Sequence, residues 1–359
     1  MSSRYFDIVL LLGAGASADA GILTSNQMVE MIEHDLVDDR NWRQFASLYN
    51  HIKSGIFYAF GIRGTFGQEV PYNIENLVST LYELERNEQH PLYPFIASMN
   101  SRLLALAGPN FENVRAFREK ILDRLKKWMS PEDSNAGSYY AGLRRLQGAL
   151  NFPLHVFSLN YDLCVERLDR EGFHVETGFE GYGRQSPWDW VRLSDSGSGP
   201  EPPQVYLYKL HGSINWTRDQ STKQLYRVEQ TASVDAPNME LIFGKEFKVE
   251  VGDPYLFYLY QFRVACLSSR LVVVIGYSFG DSHINSIIAQ ALRGDSDRRV
   301  LLVTLARDET EETRRVSELL GSERDRVTCE GGGAKQFLER SDLATHLLSL
   351  LPKTSDAPF

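Results

Sequence analysis

Asn160 and His211 are the residues in this sequence best suited to chemistry, and each stands just after an apolar run. An imidazole titrates near neutrality and can accept a proton at physiological pH. A side-chain amide can hold a nucleophile within hydrogen-bond reach without adding a competing charge. Asn160 lies in Ser158-Leu159-Asn160-Tyr161-Asp162, and His211 in Leu210-His211-Gly212-Ser213. A third polar segment, Gly276-Tyr277-Ser278-Phe279-Gly280-Asp281, follows the run Leu271 to Ile275. Each segment has a plainer reading as a loop whose polar groups cap a helix. Asp162 and Asp281 suit that role, and a lone histidine after a strand is more often structural.

A fourth segment, Gly13-Ala14-Gly15-Ala16-Ser17-Ala18, follows the run Asp7 to Leu12 and precedes an expected helix. The spacing Gly13-x-Gly15-x-x-Ala18 fits the strand–turn–helix fingerprint of a pyrophosphate site. Gly13 permits a tight turn, Gly15 lets the backbone approach a ligand, and small Ala18 allows close helix–strand packing. The helix N-terminus then offers unsatisfied N–H groups to phosphates. The loop lacks a lysine, which argues against a phosphate-gripping NTPase loop. A dehydrogenase would place an acidic residue about 20 positions on, after a second strand. Glu33 and Asp35 have that spacing but fall in a helical pattern. A tight turn that binds nothing stays open on this motif alone.

Ligands of open α/β sheets sit outside the carboxyl ends of parallel strands, so these segments need strands to carry them. The runs Asp7 to Leu12, His155 to Asn160, Val205 to Leu210, the continuously apolar Leu271 to Ile275, and Val300 to Leu305 read as such strands. Uninterrupted runs of this kind suit a parallel sheet covered on both faces. Helices are expected at Ser25 to Asp38, Tyr161 to Arg170, Tyr255 to Ser268, and from the third polar segment to about Leu292. From roughly Asn41 to Leu150 helical periodicity takes over. Asn73 can cap a helix through Asn76, Leu77, Leu81 and Leu84. Phe111, Val114, Phe117, Ile121, Leu125 and Trp128 form a second stripe, best read as packing between helices. The polar stretch Ser194 to Pro203 reads as a surface loop or connector. The fold class is α/β: a doubly wound, mostly parallel sheet with a helical insertion.

Bulk properties narrow the function. The chain has 359 residues, 43% hydrophobic and 24% charged, enough for a large core without disulfides or metals. Cys164, Cys266 and Cys329 lie far apart with no CxxC pair, which argues against a zinc ribbon or a disulfide framework. A reducing, cytoplasmic setting is the simplest inference. The opening MSSRYFDIVLLLGAGAS runs straight into the glycine loop and lacks the marks of a signal peptide. No stretch approaches the roughly 18 apolar residues that span a bilayer. A net charge of −9 disfavours a nucleic-acid surface. Arg298-Arg299 and Arg314-Arg315 read as solvated faces, and Cys164 as core on an apolar helix. The aromatic run Tyr255, Phe257, Tyr258, Tyr260 and Phe262 suits either internal packing or a subunit interface.

Taken in order, GAGAS…AGILT, LNYD, KLHGS and VIGYSFGD resemble the sirtuin superfamily. More narrowly, they resemble the divergent bacterial sirtuin-like branch whose members hydrolyse NAD in antiphage defence. The resemblance spans residues 8 to about 290 and is concentrated in these four blocks. It implies a sirtuin-like NAD-binding catalytic fold over residues 1–40 and 151–310, a helical insertion over 41–150, and a C-terminal helical segment over 311–359. Gly13, Ala14, Gly15 and Ser17 match the loop that holds the dinucleotide phosphates. Asn160 matches the asparagine beside the nicotinamide ribose, and Asp162 the acid near the carboxamide. His211 matches the histidine that accepts a proton from the ribose or its nucleophile. Gly276 and Ser278 match the strand end on the adenosine side.

The resemblance also sets expectations for the reaction. Sirtuin deacylases carry a four-cysteine zinc module and a phenylalanine–arginine pair after the glycine loop. This chain has neither, and reads Gly21-Ile22-Leu23-Thr24-Ser25-Asn26 at the second place. The expected activity is therefore NAD hydrolysis to nicotinamide and ADP-ribose, with NAD as substrate and no metal. Deacylation, ADP-ribosyl transfer, or NAD binding without turnover are the alternatives. Such a hydrolase needs restraint. The stretch beyond the last expected strand, near residue 305, is too short for a sensor domain by usual domain sizes. Control is expected from homo-oligomerisation or a separate partner, such as a HerA-type ATPase or a short Argonaute.

Overall fold

The computed structural model describes residues 7–67, 70–87, 100–131, 133, 135–169, 172–194, 202–243 and 253–351. Among them lie strands β1 (Ile8–Leu12), β2 (Leu154–Ser158), β3 (Val175–Glu176), β4 (Val205–Lys209) and β5 (Gly212–Arg218). Then follow β6 (Leu225–Arg227), β7 (Met239–Leu241), β8 (Leu271–Ile275), β9 (Arg299–Val303) and β10 (Val327–Glu330). The main sheet has the order β10-β9-β8-β1-β2-β4-β3. Every pairing in it is parallel. The chain steps outward from β1 through β2 to β4, then outward on the other side from β8 to β10. The sheet is thus doubly wound, as expected, and its direction reverses between β1 and β8.

Burial explains why the central strands show no polar alternation. All five residues of β1, β4 and β8 are buried, because both faces of the sheet are covered. On one face Val9, Leu11, Phe157, Tyr208 and Val274 pack with Tyr258 and Phe262 of helix Tyr255–Ser268 and Ile284 and Ile288 of helix Ser282–Gly294. Most of the aromatic run therefore packs internally, while Tyr260 stays 63% exposed. Arg298 departs from its expected solvated place. It is buried, and its guanidinium donates to the carbonyls of Ser269 at 2.7 Å, Leu267 at 2.5 Å and Ala291. An arginine fork with several carbonyl partners can be buried where a solvated one would not. Arg314 and Arg315 do lie on the surface, paired with glutamates one turn away.

Other departures come from short or irregular elements. The sheet continues past β9 to β10, so the region after residue 305 is partly sheet and not only helical. β10 alternates buried and exposed residues, as an edge strand does. The segment Tyr161 to Arg170 is turns with one short 3-10 helix, Glu166–Leu168, within its described part. Asp162 Oδ1 accepts from Cys164 N at 2.9 Å and holds the turn. Cys164 is buried there, on a turn instead of a helix. β5 pairs antiparallel with β6 and β7 in a small second sheet. No helix among the described residues is long and apolar enough to cross a membrane.

The chain divides into two compact units. One comprises Met1–Ile22, Met129–Val234 and Met239–Phe359; the other comprises Leu23–Trp128 and Asp235–Asn238. The helical unit therefore begins near residue 23 and ends near 128, in place of the expected 41 and 150. Helix Ser25–Asp38 buries Met28, Val29, Ile32 and Leu36, and its Asp35 pairs with Arg124 at 2.8 and 2.9 Å within that unit. Phe117 stacks on Phe45 at 5.1 Å in the same core. Residues Ser138–Leu150 belong instead with the sheet, because Tyr139 and Tyr140 both donate to the Ala16 carbonyl, at 2.6 and 2.9 Å.

Candidate functional site

The glycine loop leaves β1 and meets the end of β8. Gly13 N donates to the Ile275 carbonyl at 2.9 Å, Gly15 N to Gly276 O at 2.8 Å, and Ala16 N to Gly13 O at 2.8 Å. A Cβ on Gly13 would come within 2.5 Å of Tyr277 Cα, and one on Gly15 within 2.9 Å of Gly276 Cα. Gly276 has φ +64°, and a Cβ there would collide with Ala16 N and the Gly15 backbone. These glycines thus allow two backbones to touch. The loop continues into a 3-10 helix, Ala14–Ala20, and not the expected α-helix. The amides of Gly13, Gly15 and Ala16 are spent inside the protein, which differs from a free phosphate cradle. Ala14 and Gly15 are partly exposed, and Ser278 is exposed.

Ser17, one turn further, is buried and meets one expected residue, Asn160, and one unexpected, Tyr140. Asn160, carried just past β2, donates from Nδ2 to Ser17 Oγ at 3.1 Å. The same oxygen lies 3.1 Å from Tyr140 Oη. Burial holds the Tyr140 hydroxyl well above its ordinary pKa, so it stays protonated. The Asn160 backbone N–H donates to Ser158 Oγ at 3.1 Å. Asn160 is therefore fixed at both ends.

His211 stands at the equivalent place beyond β4, the strand next to β2. Its Nε2 lies 3.2 Å from Asp281 Oδ2. The other oxygen of Asp281 accepts from His283 N at 2.9 Å and caps helix Ser282–Gly294. Asp281 therefore holds the imidazole as well as the helix. A carboxylate only accepts, which makes Nε2 the donor and, in the neutral ring, puts the lone pair on Nδ1. Nδ1 is buried without a partner. The His211 carbonyl accepts from Ile242 N at 2.9 Å, just past β7, and the Tyr161 ring lies 6.4 Å from the imidazole. Asn160 and His211 thus have their side-chain partners on different loops.

Asp162 is buried, and its Oδ2 has no partner. Lys209, fully buried at the end of β4, donates to the Asp162 carbonyl and pairs with Glu166 at 3.0 Å. Burial raises the Glu166 pKa, against the pull of Lys209. Asp281 as orienter, Tyr140 and Lys209 were not singled out by sequence reasoning. Lys209 stood in the KLHGS block, but nothing marked its reach to Asp162. Burial also raises the pKa of Cys164, Cys266 and Cys329, the last to about 11, so none is a ready nucleophile. Among the described residues, no group of three or more His, Cys, Asp or Glu is gathered to hold a metal.

Comparison with known proteins adds the following. The family model described as a SIR2-like domain matches residues 154–323, just under half of the chain. The matched segment runs from β2 past β9 and includes Asn160, Asp162, His211, Gly276, Ser278 and Asp281. No curated protein matches the chain. A solved complex of a Sir2 homologue with NAD is 16% identical, covering 95% of this chain and 89% of that one, with a TM-score of 0.42. A mutant Sir2 homologue with 2'-O-acetyl ADP ribose is 15% identical, covering 96% and 92%, with a TM-score of 0.44. A further mutant Sir2 homologue with ADP ribose is 14% identical, covering 95% and 92%, with a TM-score of 0.42. The family match marks residues 154–323 as similar to a SIR2-like domain, within a doubly wound parallel sheet.

Proposed function

We propose that the chain binds NAD at the carboxyl ends of β1, β2, β4 and β8 and hydrolyses its nicotinamide–ribose bond. The observation that carries this reading is His211, whose Nε2 is committed to Asp281 while Nδ1 is buried and unpartnered. An imidazole oriented in this way is a base in want of a proton. The unpartnered Asp162 Oδ2 fits a carboxamide N–H. Asn160, with its Nδ2 held by Ser17, has its carbonyl oxygen to offer a water or a ribose hydroxyl. Ala14, Gly15 and Ser17 are the proposed phosphate side, and Gly276 with Ser278 the adenosine side.

The chemistry balances without a general acid. Water oxygen bonds to the anomeric carbon as the C–N bond breaks, and that electron pair passes into the pyridinium ring. Nicotinamide leaves neutral, and the proton of the water goes to His211 Nδ1. Positioning of this kind removes several kcal/mol of barrier. The motif resemblance extends the proposal to NAD depletion in antiphage defence, in a cytoplasmic homo-oligomer or with a HerA-type ATPase or short Argonaute as partner. Size-exclusion chromatography tests that part: a monomer active at full rate alone contradicts it.

The reaction is tested by incubating the full chain with NAD and measuring nicotinamide. Release without an acylated peptide is expected. Release only with such a peptide would make the protein a deacylase, and binding without turnover, even with its partner supplied, a sensor. Asn160→Ala and His211→Ala are each expected to abolish release while the circular dichroism spectrum is kept. Wild-type rates in both variants would remove the mechanism.

A further inference from the structure

The sheet-bearing unit holds a cavity of about 390 Å³ beside the turn after β2 and the small sheet of β5 and β6. Its volume falls in the range of small-molecule sites, and none of the candidate NAD-site residues lines it. Asn215 of β5 forms part of its wall and is 7% exposed. Its Nδ2 donates to the Val228 carbonyl at 3.4 Å, while its Oδ1 is buried with no partner. A buried amide oxygen left without a donor is costly, and native proteins keep few of them. A donor arriving with a ligand would satisfy it.

The charges of the lining are unequally used. Arg227 donates to Gly181 O at 2.9 Å, Thr177 Oγ1 at 3.1 Å and Phe179 O at 3.4 Å, with the Tyr182 ring 4.6 Å away. Arg167 donates to the Ala136 carbonyl at 3.1 Å. The cations are therefore turned toward protein acceptors. Glu166 and Glu229 also line the cavity, the first buried beside Lys209 and the second exposed. Burial lifts the Glu166 pKa even with Lys209 at hand, so a further positive group nearby would favour its ionised form. An anionic ligand would instead meet an amide oxygen and the three carboxylates of Glu166, Asp169 and Glu229, Asp169 already holding Val175 N at 2.8 Å.

We infer that this cavity is a second binding site, for a small organic amine whose N–H groups meet Asn215 Oδ1 and the carboxylates of Glu166 and Glu229. The test is calorimetric titration of the full chain with putrescine and agmatine as probes and succinate as the anionic control, without NAD. One of the two amines is expected to bind at one per chain, and succinate is not. Asn215→Leu is expected to weaken that binding at least tenfold. Should Asn215→Leu fail to fold, Glu229→Gln, at an exposed side chain, carries the same expectation. Absence of binding by both amines, equal binding of succinate, or wild-type affinity in the deciding variant would overturn the assignment. None of these results bears on NAD turnover, which has its own assay.

Discussion

At the scale of single residues, the pairing of His211 with Asp281 carries the most consequence. Asparagine caps a helix as well as aspartate does, so Asp281→Asn should keep helix Ser282–Gly294 while removing the charge that orients and supports the imidazole. The expected result is an unchanged melting temperature and a loss of nicotinamide release by roughly two to four orders of magnitude. Unchanged turnover would reduce Asp281 to a cap. Gly276 gives the opposite separation. Its positive φ and its contact with the Gly15–Ala16 backbone leave no room for a side chain. Gly276→Ala should cost about 1–3 kcal/mol from strain alone and lower the melting temperature without NAD present. A role confined to ligand contact would leave that melting temperature where it is. The strand-end residues were legible because each follows an apolar run. Their partners were not: Ser17 meets Tyr140 from 123 residues away, Asp281 meets His211 from 70, and Lys209 meets Asp162 from 47. Spacing in sequence holds no record of such contacts.

Among the elements, legibility followed two-sided burial more than length, since β5, the longest strand at seven residues, was not read. The runs of β1, β2, β4, β8 and β9 were read from sequence within one or two residues, because a strand covered on both faces is apolar through most of its length. β3 has two residues, β6 and β7 have three each, and β10 alternates, so none of them gives a periodic signal long enough to read. The helix expected after Asn160 is absent because side-chain capture of Cys164 N by Asp162 competes with helical pairing. A polar residue inside a legible strand gives a test at this scale. His155 of β2 stacks on Tyr206 at 4.9 Å, and burial depresses its pKa to about 3. Below the ordinary imidazole pKa the unfolded chain takes up a proton that the folded chain refuses until near pH 3. Stability contributed by the neutral ring is therefore lost as pH falls below that ordinary value, by up to about 1.4 kcal/mol per pH unit. Urea midpoints measured between about pH 7 and 5 should fall less steeply in His155→Phe than in the wild type. Identical slopes would mean the histidine titrates alike in both states.

For the whole molecule, periodicity named the helices without telling which core each one serves. Helix Ser25–Asp38 is amphipathic and could cover a sheet, but its Asp35–Arg124 pair assigns it to the helical unit. Tyr139 and Tyr140 lie inside the span expected as insertion, and their hydrogen bonds to Ala16 assign them to the sheet. Chain order also decides how the sheet must open. β1 lies between β2 and β8, so its two ladders are made with segments that follow much later in the sequence. Losing β1 breaks both ladders at once, whereas β3 and β10 sit at the edges and can fray alone. Hydrogen exchange should therefore be slowest at residues 8–12, 154–158 and 271–275, with one common rate for the three. Leu10→Ala removes a fully buried side chain from the middle of that set and should cost about 2–5 kcal/mol. If the three strands open together, the substitution speeds their exchange by the same factor. Faster exchange confined to residues 8–12 would mean that β1 leaves by itself, and that the loops it shares with β8 are held by something other than the sheet.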